Sequence, residues 1–192
     1  FNPVYGNANR LNYVFALINN DFAEPSRIGF YFQDQVEVNR YFQFVAGGRI
    51  ERYDDTGRSG TIALSGTDTA FTGRVGAVVK PIETIAIYGN FANSYTRPSI
   101  LAQTPTANGP FPPEKGKQFE GGVKFELLNR KLFITSSVYQ INKTDVLVAD
   151  PLFGPNGNNF NALLQVGEVR NRGFDIDANG AITRRWNFSA NY

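Results

Sequence analysis

Lys117-Gln-Phe-Glu-Gly-Gly-Val-Lys-Phe-Glu-Leu127 changes side-chain character at every step. Phe119, Gly121, Val123, Phe125 and Leu127 fall on one face of an extended chain. Gln118, Glu120, Gly122, Lys124 and Glu126 fall on the other. Successive side chains of a strand point to opposite sides, so period two is the signature of a strand with one greasy and one polar face. Wound as a helix, the same residues would scatter the apolar side chains all round.

The pattern recurs outward from this stretch. Trp186, Phe188, Ala190 and Tyr192 oppose Asn187, Ser189 and Asn191, and Phe71, Val75, Ala77 and Val79 oppose Thr72, Arg74 and Lys80. Phe42, Phe44, Ala46 and Ile50 oppose Gln43, Arg49 and Glu51, and Ile85, Ile87 and Phe91 oppose Thr84, Asn90 and Ser94. Three further segments alternate less cleanly. Asp34 interrupts Arg27 to Val38, Lys131 to Asn142 begins apolar on both faces, and Leu164 to Ala178 alternates only in its second half. The reading gives about eight strands, most of roughly 9–13 residues, where strands of soluble sheets average ~5–6 and a tilted bilayer-crossing strand needs ~9–11.

The connections alternate too. Short ones are expected at Asn39-Arg40, Pro81-Ile82, Leu128 to Arg130 and Thr183-Arg184. Long ones, rich in Gly, Pro, Asn, Ser and Thr, are expected at Asp54 to Thr67, Tyr95 to Gly116 and Lys143 to Ala162. Short turns on one side and long loops on the other characterise outer-membrane barrels. In hydrocarbon every backbone N–H and C=O needs a partner, so a spanning sheet has to close on itself. The expected fold is therefore all-β: an antiparallel transmembrane β-barrel segment with its apolar face toward lipid. Arg49, Glu51, Arg74, Glu120, Lys124 and Glu126 would then face a wide, wet lumen. With the short turns assigned to the periplasm, the last strand runs outward, so the chain is expected to start and stop within a barrel.

Composition removes several function classes. The 192 residues include 17 Phe and 9 Tyr but no Cys, Met or His. Disulfides, thiolate chemistry and histidine general bases are thereby excluded. A net charge of +2 gives no reason to expect a nucleic-acid partner.

Particular residues carry a family resemblance. Glu114-Lys-Gly-Lys-Gln-Phe-Glu-Gly-Gly-Val-Lys124 resembles the strand-entry motif of TonB-dependent siderophore receptors, and Tyr139-Gln-Ile-Asn-Lys-Thr144, Asp150-Pro151 and Val166-Gly-Glu-Val-Arg-Asn-Arg-Gly173 follow in the family's order. Upstream, Asn2-Pro-Val-Tyr5, Tyr31-Phe-Gln-Asp34, Gly47-Gly-Arg49 with Tyr53, and Tyr88 through Ser94 to Arg97-Pro98 are similar as well. The resemblance covers nearly all of residues 1–192. It implies the middle part of a barrel of about 22 strands around an N-terminal plug, in the bacterial outer membrane. The plug, the TonB-contacting box and the final strands lie outside this stretch. The implied activity is import of a ferric siderophore energised through TonB. The implied partners are that cargo, TonB, the protein's own plug domain and outer-membrane lipid. No cofactor is implied for this stretch, and no enzyme activity. A passive porin, or a receptor for vitamin B12, a nickel chelate or a sugar, would share the same pattern.

Candidate ligand contacts are Tyr95 and Arg97, where a strand enters the longest loop, with Phe111, Phe153 and Phe160. An aromatic face beside a guanidinium suits an anionic iron chelate; an interfacial girdle residue beside a loop charge is the plainer reading. Asp54-Asp55 and Asp145 with Asp150 have no EF-hand spacing and read as turn residues. Asp175 and Asp177 lack a nucleophile or third partner, so no catalytic set emerges and no metal set either. Glu168, Arg170 and Arg172 alternate on one face, as a charged rim or as a cross-strand ladder.

Overall fold

A computed structural model describes residues 21–152, 162–183 and 186–192. These form one eight-stranded sheet with strands in chain order, every neighbouring pair antiparallel: β1 Phe22–Asn39, β2 Phe42–Ser59, β3 Ile62–Ile82, β4 Ile85–Thr96, β5 Glu114–Leu127, β6 Leu132–Ala149, β7 Leu163–Thr183 and β8 Trp186–Asn191. The sheet is open, β1 and β8 standing at its two edges. No helix among the described residues is long and apolar enough to cross a membrane.

The registers assemble the expected apolar face. Across the sheet Phe30 stands beside Ile50 and Ile50 beside Phe71. Val75 stands beside Phe91 and Phe91 beside Phe119; lower down, Ile87 meets Val123 and Ile85 meets Phe125. Val138 faces Phe174. Most of these side chains are exposed, Phe71 by 64% and Phe119 by 53%, with Ile85, Phe91, Val123 and Phe125 half-buried among their neighbours, and no large side chain is fully buried among the described residues. In water such a belt would drive collapse or aggregation; in a bilayer it is the matched surface.

The opposite face is concave and polar. A trough of about 1230 Å³ runs along it, with Gln43, Lys80, Tyr88, Glu120 and Lys124 in its wall. Tyr88 donates to Glu120 at 2.8 Å, the Lys124 ammonium lies 5.2 Å from the Tyr88 ring centre, and Arg49 pairs with Glu51 at 2.6 Å. Arg74 donates to Gln33. Asp175 and Asp177 share this face, level with Ser137 and Thr135.

Three sequence expectations are corrected. The long loop expected at Asp54 to Thr67 is absent: β2 and β3 stay paired up to Ser59 and Ile62, around a tight turn at Gly60-Thr61. Gly60 adopts φ 57°, which costs a glycine nothing, and its N–H donates to Asp21 at 2.8 Å. Above the membrane neither face of a hairpin meets lipid, so the strand loses the greasy alternation that revealed it lower down. The same reason extends β6 through Lys143 to Ala149, shortening the third expected loop to residues 150–162. The strands are accordingly longer than read, up to 21 residues. Two turns are displaced along the chain: Arg40-Tyr41 instead of Asn39-Arg40, and Glu83-Thr84 instead of Pro81-Ile82. The expected segment at Asn2 to Tyr5 and the residues Phe153, Phe160, Arg184 and Arg185 lie outside the described residues.

Candidate functional site

The connection between β4 and β5 is the expected long loop, and it is structured. Residues 97–113 carry two 3₁₀ turns, Ile100–Gln103 and Pro105–Ala107. The Ser99 hydroxyl caps the first by accepting from the Leu101 N–H, and the Thr104 hydroxyl caps the second by accepting from Ala107, both at 3.3 Å. Asn108 closes the pair in the left-handed region at φ 69°, a conformation asparagine tolerates well. Gln103 then clamps the returning chain: its amide accepts from the Phe111 N–H at 2.7 Å and donates to the Phe111 carbonyl at 3.2 Å.

This loop folds back over the concave face of the β2–β3 hairpin. Its anchor is Arg97, which forms an ion pair with Asp55 at 3.1 Å and donates to the Gly66 carbonyl at 3.0 Å. The two side chains are only 10% and 9% exposed. Residue 66 has to be glycine for this approach, because a Cβ there would meet the Arg97 guanidinium. Ile100, 4% exposed, seals the contact from above, packing on Gly57 and Gly66. On the far side Asn108 donates to the Leu163 carbonyl at 3.3 Å, and Gln165 donates to the Pro112 carbonyl at 2.8 Å. The loop therefore bridges the β2–β3 and β6–β7 hairpins.

Tyr95 reaches the same place by leaving its expected side. By alternation it belongs with Phe91 on the apolar face. The β3–β4 pairing, however, ends at Arg74 and Ala92, where the Asn93 amide takes over the Gly73 N–H at 2.6 Å and the Phe71 carbonyl at 3.2 Å. Above that divergence Tyr95 donates its hydroxyl to Asp68, and its ring lies 5.8 Å from the Tyr53 ring. Tyr53 is buried, donates to Glu51 at 2.9 Å and carries the Arg27 guanidinium 5.3 Å from its ring centre. Burial and then the Asp68 carboxylate raise the Tyr95 hydroxyl well above the usual tyrosine range. Asp54, on the outer side of the hairpin, is lowered by hydrogen bonds from Arg52 and then Thr67.

A cavity of about 440 Å³ opens between loop and hairpin, with Gly66, Asp68, Arg97, Ile100, Gln103 and Phe111 in its wall. Of the residues singled out in the sequence, Arg97 and Phe111 line this cavity, and Tyr95 holds one of its walls through Asp68. Asp68 and Gln103 carry no motif, and Asp55, which reads as a turn residue in the sequence, is a strand residue paired with Gly66; their roles become visible only when Asp55 meets Arg97, Asp68 faces Tyr53 and Gln103 binds Phe111. One Asp55 oxygen, Oδ1, is buried without a hydrogen-bond partner.

An antiparallel sheet of long strands, apolar on its outer face and polar on its concave one, with a folded loop capping one end, defines a piece of an outer-membrane β-barrel. The chain belongs to the TonB dependent receptor-like β-barrel family, whose model matches residues 1–192. Among curated relatives, the metal-pseudopaline receptor of Pseudomonas aeruginosa is 28% identical over 95% of this chain and 25% of its own length. The ferrichrome outer membrane transporter and phage receptor of Escherichia coli is 31% identical over 88% of this chain and 22% of its own. Among solved structures, the ferripyoverdine receptor of P. aeruginosa superposes with a TM-score of 0.71 at 22% identity, over 88% of this chain and 22% of that one. The chain thus spans about a quarter of the length of these proteins. They are transport receptors rather than enzymes, and the outer membrane is where such barrels sit.

Proposed function

We propose that this chain forms part of the wall and mouth of an outer-membrane importer of ferric siderophores, energised through TonB and closed by its own plug domain. The observation that carries this reading is the folded 97–113 loop, which encloses the Arg97–Phe111 cavity at the end of the concave face. Relatives named for ferrichrome and metal-pseudopaline support the cargo class.

The cavity is suited to a chelate that is polar and only weakly anionic at this contact. Arg97 is already matched by Asp55, so the pair presents oriented N–H groups rather than a bare positive charge. A guanidinium has five N–H donors, and only Nη1 is engaged by Asp55 and Gly66. The remaining donors, the Phe111 ring and the Gln103 amide offer hydrogen bonds and an aromatic edge to a compact iron complex. Phe153 and Phe160 would extend the same wall. The charged trough around Glu120 and Lys124 is the surface for the plug, and the Phe-rich belt the surface for lipid. No residue of the sheet is assigned an enzymatic role.

The test replaces residues 99–112 with a Gly-Ser linker in the full-length receptor. Binding and uptake of iron-55 ferrichrome and ferripyoverdine are measured alongside heat-modifiable migration of the barrel. Loss of binding of at least tenfold for the recognised chelate, with an intact barrel, is expected. Undiminished binding and uptake of every chelate the parent takes would sink the reading.

A further inference from the structure

Above the membrane belt β3 has a bare edge that the rest of a barrel cannot cover. Its ladder with β4 ends at Arg74 and Ala92, yet β3 continues, paired with β2 alone, as far as Ile62. β4 is already its neighbour in the sheet, so no further strand takes that place. Alternation fixes which groups are left. Lys80 donates its N–H to Tyr41 on the β2 side, whereas Phe71 and Gly73 meet the Asn93 amide on the β4 side. Even-numbered residues of β3 therefore turn their backbone groups toward β2 and odd-numbered ones toward β4. Asn93 covers Gly73 and Phe71, and the Asp68 carboxylate accepts from the Thr69 N–H at 2.8 Å. Beyond them, the backbone groups of Thr67, Ser65 and Ala63 have no partner from β4 or from the 97–113 loop among the described residues, and all three residues are exposed.

Sheet edges in water are normally blunted by lysine, proline or a bulge. Ile62 to Thr67 carries neither lysine nor proline, and its register with β2 is unbroken. The loop across the gap is unable to close it. Pro110, Pro112 and Pro113 have no N–H to give, and the N–H and C=O of Phe111 are both taken by Gln103. Edge and loop instead form two sides of the cavity of about 440 Å³, with Ala63, Ser65 and Gly66 on one and Pro110, Phe111 and Pro113 on the other.

We infer that this edge reads the peptide backbone of the cargo. The inference rests on the importer reading above and narrows its substrate class: the chelate carries a linear peptide arm, which lies extended along Ala63 to Thr67 as an added strand. The edge repeats its donor and acceptor every ~6.8 Å, twice the rise of ~3.4 Å per residue. Another extended peptide matches that repeat, and a chelator without peptide bonds does not. An added strand takes its affinity from main-chain hydrogen bonds, so the arm's side chains are free to vary. The iron-holding end is left to Arg97 and the Phe111 ring, which line the same cavity.

The full-length receptor in detergent is titrated with three synthetic iron-55 trihydroxamates. One has no arm, one has a linear Thr-Val-Thr arm, and one has that arm N-methylated at every residue. The arm should tighten binding at least tenfold. N-methylation removes its donors without touching the protein and should erase the gain. Amide exchange at Ser65 and Thr67 should slow at least tenfold with the armed chelate and not with the arm-less one. Ser65→Pro takes one donor from the edge and puts a ring on it; armed and arm-less chelates should bind this variant alike. A gain that survives N-methylation, or no gain while the arm-less chelate binds, overturns this inference alone. Failure of these three, of ferrichrome and of ferripyoverdine to bind would count against the importer reading, and this inference would fall with it.

Discussion

At Arg97 a buried ion pair decides where a whole loop sits. Removing one partner of such a pair strands the other charge, at a cost of about 3–5 kcal/mol, whereas replacing both by apolar groups is nearly neutral. Arg97→Met is therefore expected to release the loop, measured as loss of amide-exchange protection at Leu101 and Ala102, while Arg97→Met with Asp55→Leu regains most of it. Nearby, Tyr95 sets a pH window. Its hydroxyl is held above the ordinary value of ~10 by burial and by Asp68. A raised tyrosine pKa means the contribution is complete below the unfolded value and is lost as pH rises through the folded one. Tyrosinate absorbance of the parent and of Tyr95→Phe should therefore coincide through the ordinary tyrosine titration near pH ~10, the parent gaining one further tyrosinate only at higher pH. On the membrane face, neighbouring residues of one strand should respond oppositely. Val123→Arg should destabilise the full receptor in lipid vesicles by about 2–4 kcal/mol in denaturant unfolding, while Lys124→Ala, on the wet side, should change it little.

At the scale of the strand, what the sequence showed and what it hid follow from the solvent on each side. Between Phe119 and Leu127 one face meets lipid and the other water, so alternation is sharp and the strand can be read directly. Between Asp54 and Thr67 the outer face meets water and the concave face is covered by the 97–113 loop, so neither meets lipid, and Asp54, Thr56 and Arg58 resemble loop residues although they are fully paired with Thr67, Ser65 and Ala63. The candidate site was legible only at Tyr95, Arg97 and Phe111. Asp55 lies 42 positions before Arg97, and no local pattern joins them. The turn of Tyr95 away from the lipid side depends on where β3 leaves β4, an event carried by the Asn93 amide. The hairpin is also the loop's foundation. Gly66→Val should displace Arg97, since the guanidinium is buried, paired and unable to swing aside. The expected result is a loop as protease-sensitive as in Arg97→Met, with β2 and β3 still protected from exchange.

Across the whole molecule, the same chemistry that makes each strand stable in a membrane makes this sheet dependent on strands beyond itself. Interior strands have a neighbour on each side, although β3 before Arg74 and β7 before Ile176 are paired on one side only, and β1 and β8 each present one row without a neighbouring strand. In hydrocarbon each such group costs several kcal/mol, so an open edge many residues long cannot be tolerated there. Water is no refuge, because the belt from Phe30 through Phe71 to Phe119 would be exposed and long bare edges template aggregation. Expressed alone as residues 1–192, the chain is therefore expected to reach neither environment as a monomer. Diluted from urea into buffer it should aggregate. Diluted into lipid vesicles it should fail to give the heat-modifiable band that the full-length receptor gives. A resistant, monomeric band from the isolated sheet would mean that the edges find partners within this stretch, by β1 closing onto β8 or by two copies pairing edge to edge, and crosslinking between Ile28 and Phe188 positions substituted with cysteine would tell these apart.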